Sequence, residues 1–145
     1  MNCEAPINKG VIVPIKLEYD QNKKILIVAV IGQVTLQEIA SALEKIVSSG
    51  EYPLNVDALW DLRQADFKSA DANLLRSIVE LREQHPERAN FRLALIAPDD
   101  LSYGMMRMYE MLSEWKLSRN LMVFRDYSAG EQWILQKMRE NERNI

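Results

Sequence analysis

Two hydrophobic rhythms alternate along the chain. Short, almost unbroken apolar runs stand at residues 25–31 (ILIVAVI), 56–62 (VDALWDL), 91–97 (FRLALIA) and 121–124 (LMVF). Each gives way to turn residues and then to a stretch whose apolar positions recur every three or four residues. An apolar run closed by turn chemistry marks a strand of a parallel or mixed sheet, and the 3.6-residue pattern after it marks an amphipathic helix. The 25–31 run is expected deep in the sheet with both faces covered. Residues 11–19 behave differently: Ile15, Leu17 and Tyr19 fall on one face, Lys16 and Glu18 on the other, as in a half-exposed strand. Pro14 suits an edge position because it cannot donate to a ladder. Residues 20–23 (DQNK) are turn formers, so a hairpin joins the first two strands.

The helix boundaries are written in cap chemistry. Thr35 and Glu38 form a capping box before a stripe of Leu36, Ile39, Ala40, Leu43, Ile46 and Val47, which Ser48-Ser49-Gly50 closes. Ser69 is placed to cap the second helix. Its inward face carries Leu74, Leu75, Ile78, Val79 and either Leu81 or the stem of Arg82, and His85-Pro86 ends it. Asp99 and Asp100 start the third helix, which runs to about Trp115. Ser128 and Glu131 read as a second capping box, opening a last helix anchored by Trp133, Ile134 and Met138. The prediction is one α/β domain with a mixed five-stranded sheet and four flanking helices. Residues 1–10 are a flexible lead-in, 11–138 the domain, and 139–145 a charged tail that frays. The three strand-to-helix units deliver Asp66, Asp99 and Asp126 to one rim of the sheet, where folds of this class usually bind things.

Composition narrows the classes. A length of 145 residues fits one domain, and 48% apolar residues argue against disorder. The net charge is -3 with no basic stripe, so nucleic acid is not an expected partner. One cysteine, Cys3, precludes a disulfide framework within the chain and fits a reducing cytoplasm. No secretory pattern opens the sequence, and no apolar run reaches the roughly 18 residues that an integral membrane segment needs. The glycine-rich phosphate loops, the nucleophile elbow and the zinc-protease helix motif are missing. No cofactor, metal site or catalytic residue is therefore assigned.

The order of elements has finer echoes in ALWDLRQADF on the third strand, RLALIAP on the fourth, YGMMRMYEML on the third helix and the ending VFRDYSAGEQWI. Together these resemble the SpoIIAA-like family, related to the STAS domains of anti-sigma-factor antagonists and more distantly to lipid-transfer CRAL-TRIO domains. The resemblance covers about residues 11–138. It implies a non-enzymatic, cytoplasmic regulatory or protein-interaction module. The antagonists carry a phosphorylatable Asp-Ser-Ser-Gly-type motif after the third strand. Here that stretch reads Phe67-Lys68-Ser69-Ala70-Asp71, and the motif is absent.

Several residues admit a functional and a structural reading. Asp99 and Asp100 could serve acid–base work, but an N-cap beside a helix dipole explains them. Ser69, after Lys68, could meet a phosphate at a helix start, or simply cap the helix. Asp61 needs a partner if buried, and Arg63 lies two residues on along the same face. The third helix is unusually rich in Met. Met105, Met108, Leu112 and Trp115 form one stripe, which Met106 and Tyr109 broaden, either as a core helix covering the sheet or as an exposed, adaptable contact surface. Gly104 within it would be justified by close approach of another backbone. The expected contact residues are Asp66, Lys68, Ser69, Asp99, Asp100, Tyr103, Met106, Arg107, Tyr109 and Arg125. The expected partner is another protein or a second copy in a homodimer. The alternative is an apolar ligand or lipid, carried in a pocket between the third helix and the sheet. An enzyme using Asp66, Asp99, Asp100, Arg125 and Asp126 ranks last.

Overall fold

The computed structural model of the protein describes residues 14–86, 91–114 and 120–143, the side chains of 137–143 excepted. The lead-in and residues 11–13 lie outside the described residues. The elements are β1 (Ile15–Asp20), β2 (Ile25–Gln33), α1 (Leu36–Ser48), β3 (Asp57–Asp66), α2 (Ala72–Glu83), β4 (Leu93–Ile96), α3 (Asp100–Glu114), β5 (Leu121–Phe124) and α4 (Tyr127–Arg143). α4 thus runs through most of the expected tail, because nothing in residues 139–143 breaks a helix.

The five strands lie in chain order, β1-β2-β3-β4-β5. β1 pairs antiparallel with β2, and the other pairings are parallel. The hairpin turn is built by Asp20, whose carboxylate accepts from the Asn22 and Lys23 amides at 3.0 Å each. Because the strands advance in one direction, α1, α2 and α3 all cover the same face. There Ile39, Leu43, Ile46, Leu75, Ile78, Val79, Met106 and Tyr109 pack against Leu26, Val28, Ala58, Leu62, Leu93, Leu95, Leu121 and Val123. Among the described residues α4 alone covers the second face, with Ile134 against Ile25, Leu59, Ala94 and Ile96. One helix cannot span five strands. Ile27, Ala29 and Ile31 on β2 are therefore only half-buried, not covered on both faces as their apolar run implies.

The Thr35–Glu38 box forms as its spacing predicts. The Thr35 hydroxyl accepts from the Glu38 amide at 3.3 Å and donates to the Glu38 carboxylate at 2.7 Å. Two other caps differ from expectation. Asp71, not Ser69, caps α2 by accepting from the Leu74 amide at 2.9 Å. Asp126, not Ser128, opens α4 by accepting from the Ala129 amide at 2.9 Å. In both cases an aspartate close to the serine takes the cap, since a carboxylate also gains from the positive end of the helix dipole. No described helix is long and apolar enough to cross a membrane.

Candidate functional site

The parallel strands bring Asp66, Asp99 and Asp126 to the carboxyl end of one sheet, as the strand-to-helix plan requires. Each carboxylate is then occupied locally. Asp66 accepts from the Lys68 amide at 2.9 Å, Asp99 from the Ser102 amide at 2.8 Å, and Asp126 caps α4. The Ser102 amide holds the Asp99 carboxyl below the ordinary carboxylate range. Among the described residues, no three His, Cys, Asp or Glu side chains converge as a metal site.

Arg125 gathers the most neighbours at this rim. Its guanidinium lies 4.3 Å from the Tyr103 ring centroid, donates to the Pro98 carbonyl at 3.1 Å and pairs with Asp100 at 3.0 Å. The Asp100 side chain is 96% exposed and that of Arg125 50%, so solvent screens this pair. The strand order reverses nowhere, so the rim lacks the crevice that a topological switch point creates. Lys68 and Ser69 sit exposed on the β3–α2 loop.

The rest of the expected contact surface is redistributed. Met106 and Tyr109 are 6% and 4% exposed and point into the core. The buried stripe of α3 is Ser102, Met106, Tyr109 and Ser113, one register away from the expected one. Leu101, Met108 and Met111 carry the exposed apolar surface instead. The Met-rich sequence leaves two stripes nearly equal in hydrophobicity, and two small serines at the inner one let the helix lie close to the sheet. Arg107 pairs with Glu110 across one turn at 3.4 Å. The Asp61–Arg63 pair forms as its spacing predicts, with Arg63 Nε and Nη2 each 2.8 Å from the carboxylate. A register shift between Ala29 and Ile31 bends β3 here, so the Arg63 amide also reaches Asp61 at 3.1 Å. These hydrogen bonds, led by the guanidinium, lower the Asp61 pKa. Arg63 also lies over the Tyr127 ring at 4.6 Å.

An apolar concavity lies elsewhere. A cavity of about 90 Å³ lies between the first face of the sheet and the helices. Leu26, Val30, Ala58, Trp60 and Leu62 form its floor, and Ile39, Leu43, Ile46, Leu75 and Ile78 its roof. α3 contributes only Met106 and Tyr109. The roof is thus chiefly α1 and α2, not the third helix. Trp60, on the central strand, stays partly exposed for that reason. Arg82 and Arg92 also line the space. Neither was among the expected contact residues. Arg82 was legible all the same, since it continues the inward stripe 75, 78, 79, 82, where a charge has no packing purpose.

No family model matches the sequence, and no curated protein matches it. The fold does have a solved counterpart, a crystal structure of an uncharacterised protein of the DUF3478 family with a SpoIIAA-like fold from Shewanella loihica PV-4. It aligns with a TM-score of 0.53 at 19% identity, covering 83% of this chain and 91% of that one. On this architecture and this counterpart, the chain is a single α/β domain with a SpoIIAA-like fold.

Proposed function

We propose that the chain is a non-enzymatic binding module that holds a small apolar molecule between its sheet and the α1–α2 layer. The observation that carries this reading is the cavity beneath Ile39, Leu43 and Ile78. Well-packed interiors leave few voids larger than a water molecule. An apolar space of about 90 Å³ left unfilled costs roughly 2 kcal/mol at about 24 cal/mol per Å³. A ligand that fills it recovers dispersion contacts and displaces no well-held water. The size fits a single ring or a short alkyl chain rather than a long lipid. An engineered apolar cavity of roughly 150 Å³ in another protein takes benzene.

Titration with benzene and 1-hexanol, followed by amide NMR, tests the reading. Shifts are expected at Ala58, Trp60, Ile78 and Met106. Ala58→Val, which fills part of the space, should abolish them and leave the folded spectrum intact. Shifts confined to the carboxyl rim, or none at millimolar ligand, overturn the proposal.

A second reading keeps the regulatory, protein-interaction role in a cytoplasmic setting. It is favoured by the exposed row Leu101, Met108 and Met111 on α3, an adaptable apolar surface of the kind that marks contact sites. The partner is another protein or a second copy of the chain. Met108→Lys with Met111→Lys should then weaken self-association measured by light scattering, or capture of a partner, with no loss of fold. A mass unchanged by the double substitution excludes α3 from a homodimer contact.

A further inference from the structure

The cavity is apolar except at one end. Arg82 stands in the last turn of α2, and Arg92 immediately precedes β4. Both therefore lie at the amino end of the parallel strands, opposite the aspartate rim. Arg92 is already matched there: its guanidinium lies 3.7 Å from the Asp57 carboxylate, and its amide donates to the same carboxylate at 2.9 Å. Arg82 is not matched. It is half-buried, lines the cavity, and donates to the Tyr109 hydroxyl at 2.9 Å. Among the described residues no carboxylate pairs with it. Tyr109 is buried and uses its hydroxyl oxygen to accept from Arg82. Among the described residues its own O–H proton meets no acceptor.

Among the described residues, Arg82 thus brings a cation without a paired carboxylate to the edge of an otherwise apolar space. A half-buried cation without a counter-charge is costly, and a hydroxyl proton beside it lacks an acceptor. One carboxylate satisfies both, taking N–H from Arg82 and O–H from Tyr109 while its hydrocarbon tail occupies the cavity. We infer that the cavity selects a short alkyl or aryl carboxylic acid, with Arg82 and Tyr109 receiving the carboxylate. The inference rests on the cavity being a binding site.

Hexanoate and 1-hexanol share a tail and differ in the head, so calorimetry on the intact chain with both separates the two ideas. Hexanoate is expected to bind roughly ten- to a hundredfold tighter, the worth of a charge-assisted hydrogen bond. Arg82→Gln should remove that advantage and leave 1-hexanol within about threefold of its wild-type affinity. Tyr109→Phe should remove part of it. Equal affinity for the two ligands overturns the head-group assignment and leaves the cavity reading standing. Binding of neither overturns both. Equal weakening of both ligands by Arg82→Gln makes Arg82 a structural support and overturns its role as the carboxylate's receiver.

Discussion

Gly130 on α4 lies directly against Ile96 on β4. A Cβ placed on Gly130 would stand closer to Ile96 Cδ1 than any carbon–carbon contact permits, and 3.2 Å from Phe124 Cδ2. Ile96 is fully buried, so its Cδ1 can make room only by re-packing against its neighbours. The missing side chain is what lets α4, the only helix on the second face among the described residues, settle onto the sheet. Gly130→Ala gains about 1 kcal/mol in helix propensity but overpacks this contact. The net expectation is a destabilisation of up to about 2 kcal/mol, read as a lower urea midpoint with an unchanged slope. A variant about 1 kcal/mol more stable than the parent, the full propensity gain, refutes the close-packing role.

Gly104 is the opposite case within the same fold. Apart from its chain neighbours and its own helix backbone, no described atom lies within 4 Å of the Cβ it would carry, and its backbone is helical. The close approach that the sequence invited at this position is absent among the described residues. Gly104→Ala should therefore stabilise by up to about 1 kcal/mol, raising the melting temperature by roughly 2–4 °C. Should the substitution instead weaken self-association or partner capture, Gly104 belongs to a contact face on α3.

The contrast shows what could be read from the residues. The opening hairpin, the mixed five-stranded sheet and the shared aspartate rim followed from apolar runs and turn chemistry, because alternation and crossover connection leave little choice of topology. The Asp61–Arg63 pair followed from a period of two. The inner face of α3 did not. With Met105, Met106, Met108 and Met111 on all sides, periodicity could not rank the stripes, and the decision passed to Ser102 and Ser113, whose hydroxyls bond back to the helix at Asp99 and Tyr109. A pocket against the sheet was expected under the third helix, and its actual place under α1 and α2 was not legible for a different reason. It comes from the stand-off of α1 and α2 above Trp60, which is a property of helix placement rather than of any residue pattern.

The cap of α2 gives a direct comparison of neighbouring residues. Asp71 bonds the Leu74 amide, whereas Ser69 is exposed two residues earlier. Asp71→Ala should cost about 1 kcal/mol and Ser69→Ala less than about 0.5 kcal/mol, both measured by denaturant unfolding. Equal losses would return the cap to Ser69. A phosphoryl group on Ser69 would then lie at the helix start, where the present geometry puts Asp71.

Glu110 carries the one buried side-chain oxygen, among the described residues, that lacks a hydrogen bond. Its Oε1 is 3.4 Å from Arg107 Nε but misaligned for donation. Burial, the largest influence, raises the Glu110 pKa; Arg107 opposes it and Glu114 adds to it. A folded-state value above the unfolded one means that folding favours the protonated form. The contribution of Glu110 to stability is thus fully present below the ordinary glutamate pKa and is lost as pH rises through the raised value. At neutral pH the carboxylate is a liability that an uncharged isostere lacks. Glu110→Gln should melt higher than the parent at pH 7, and the gap should close as pH falls below about 4.3. Asp61 has the opposite sign. Its lowered pKa gives stability present at neutral pH and lost as pH falls through the depressed value, so Asp61→Asn should melt lower than the parent at pH 7 and converge with it in acid. Parallel melting curves for Glu110→Gln and the parent from pH 4 to 8 would show that solvent or Arg107 fully compensates the buried oxygen.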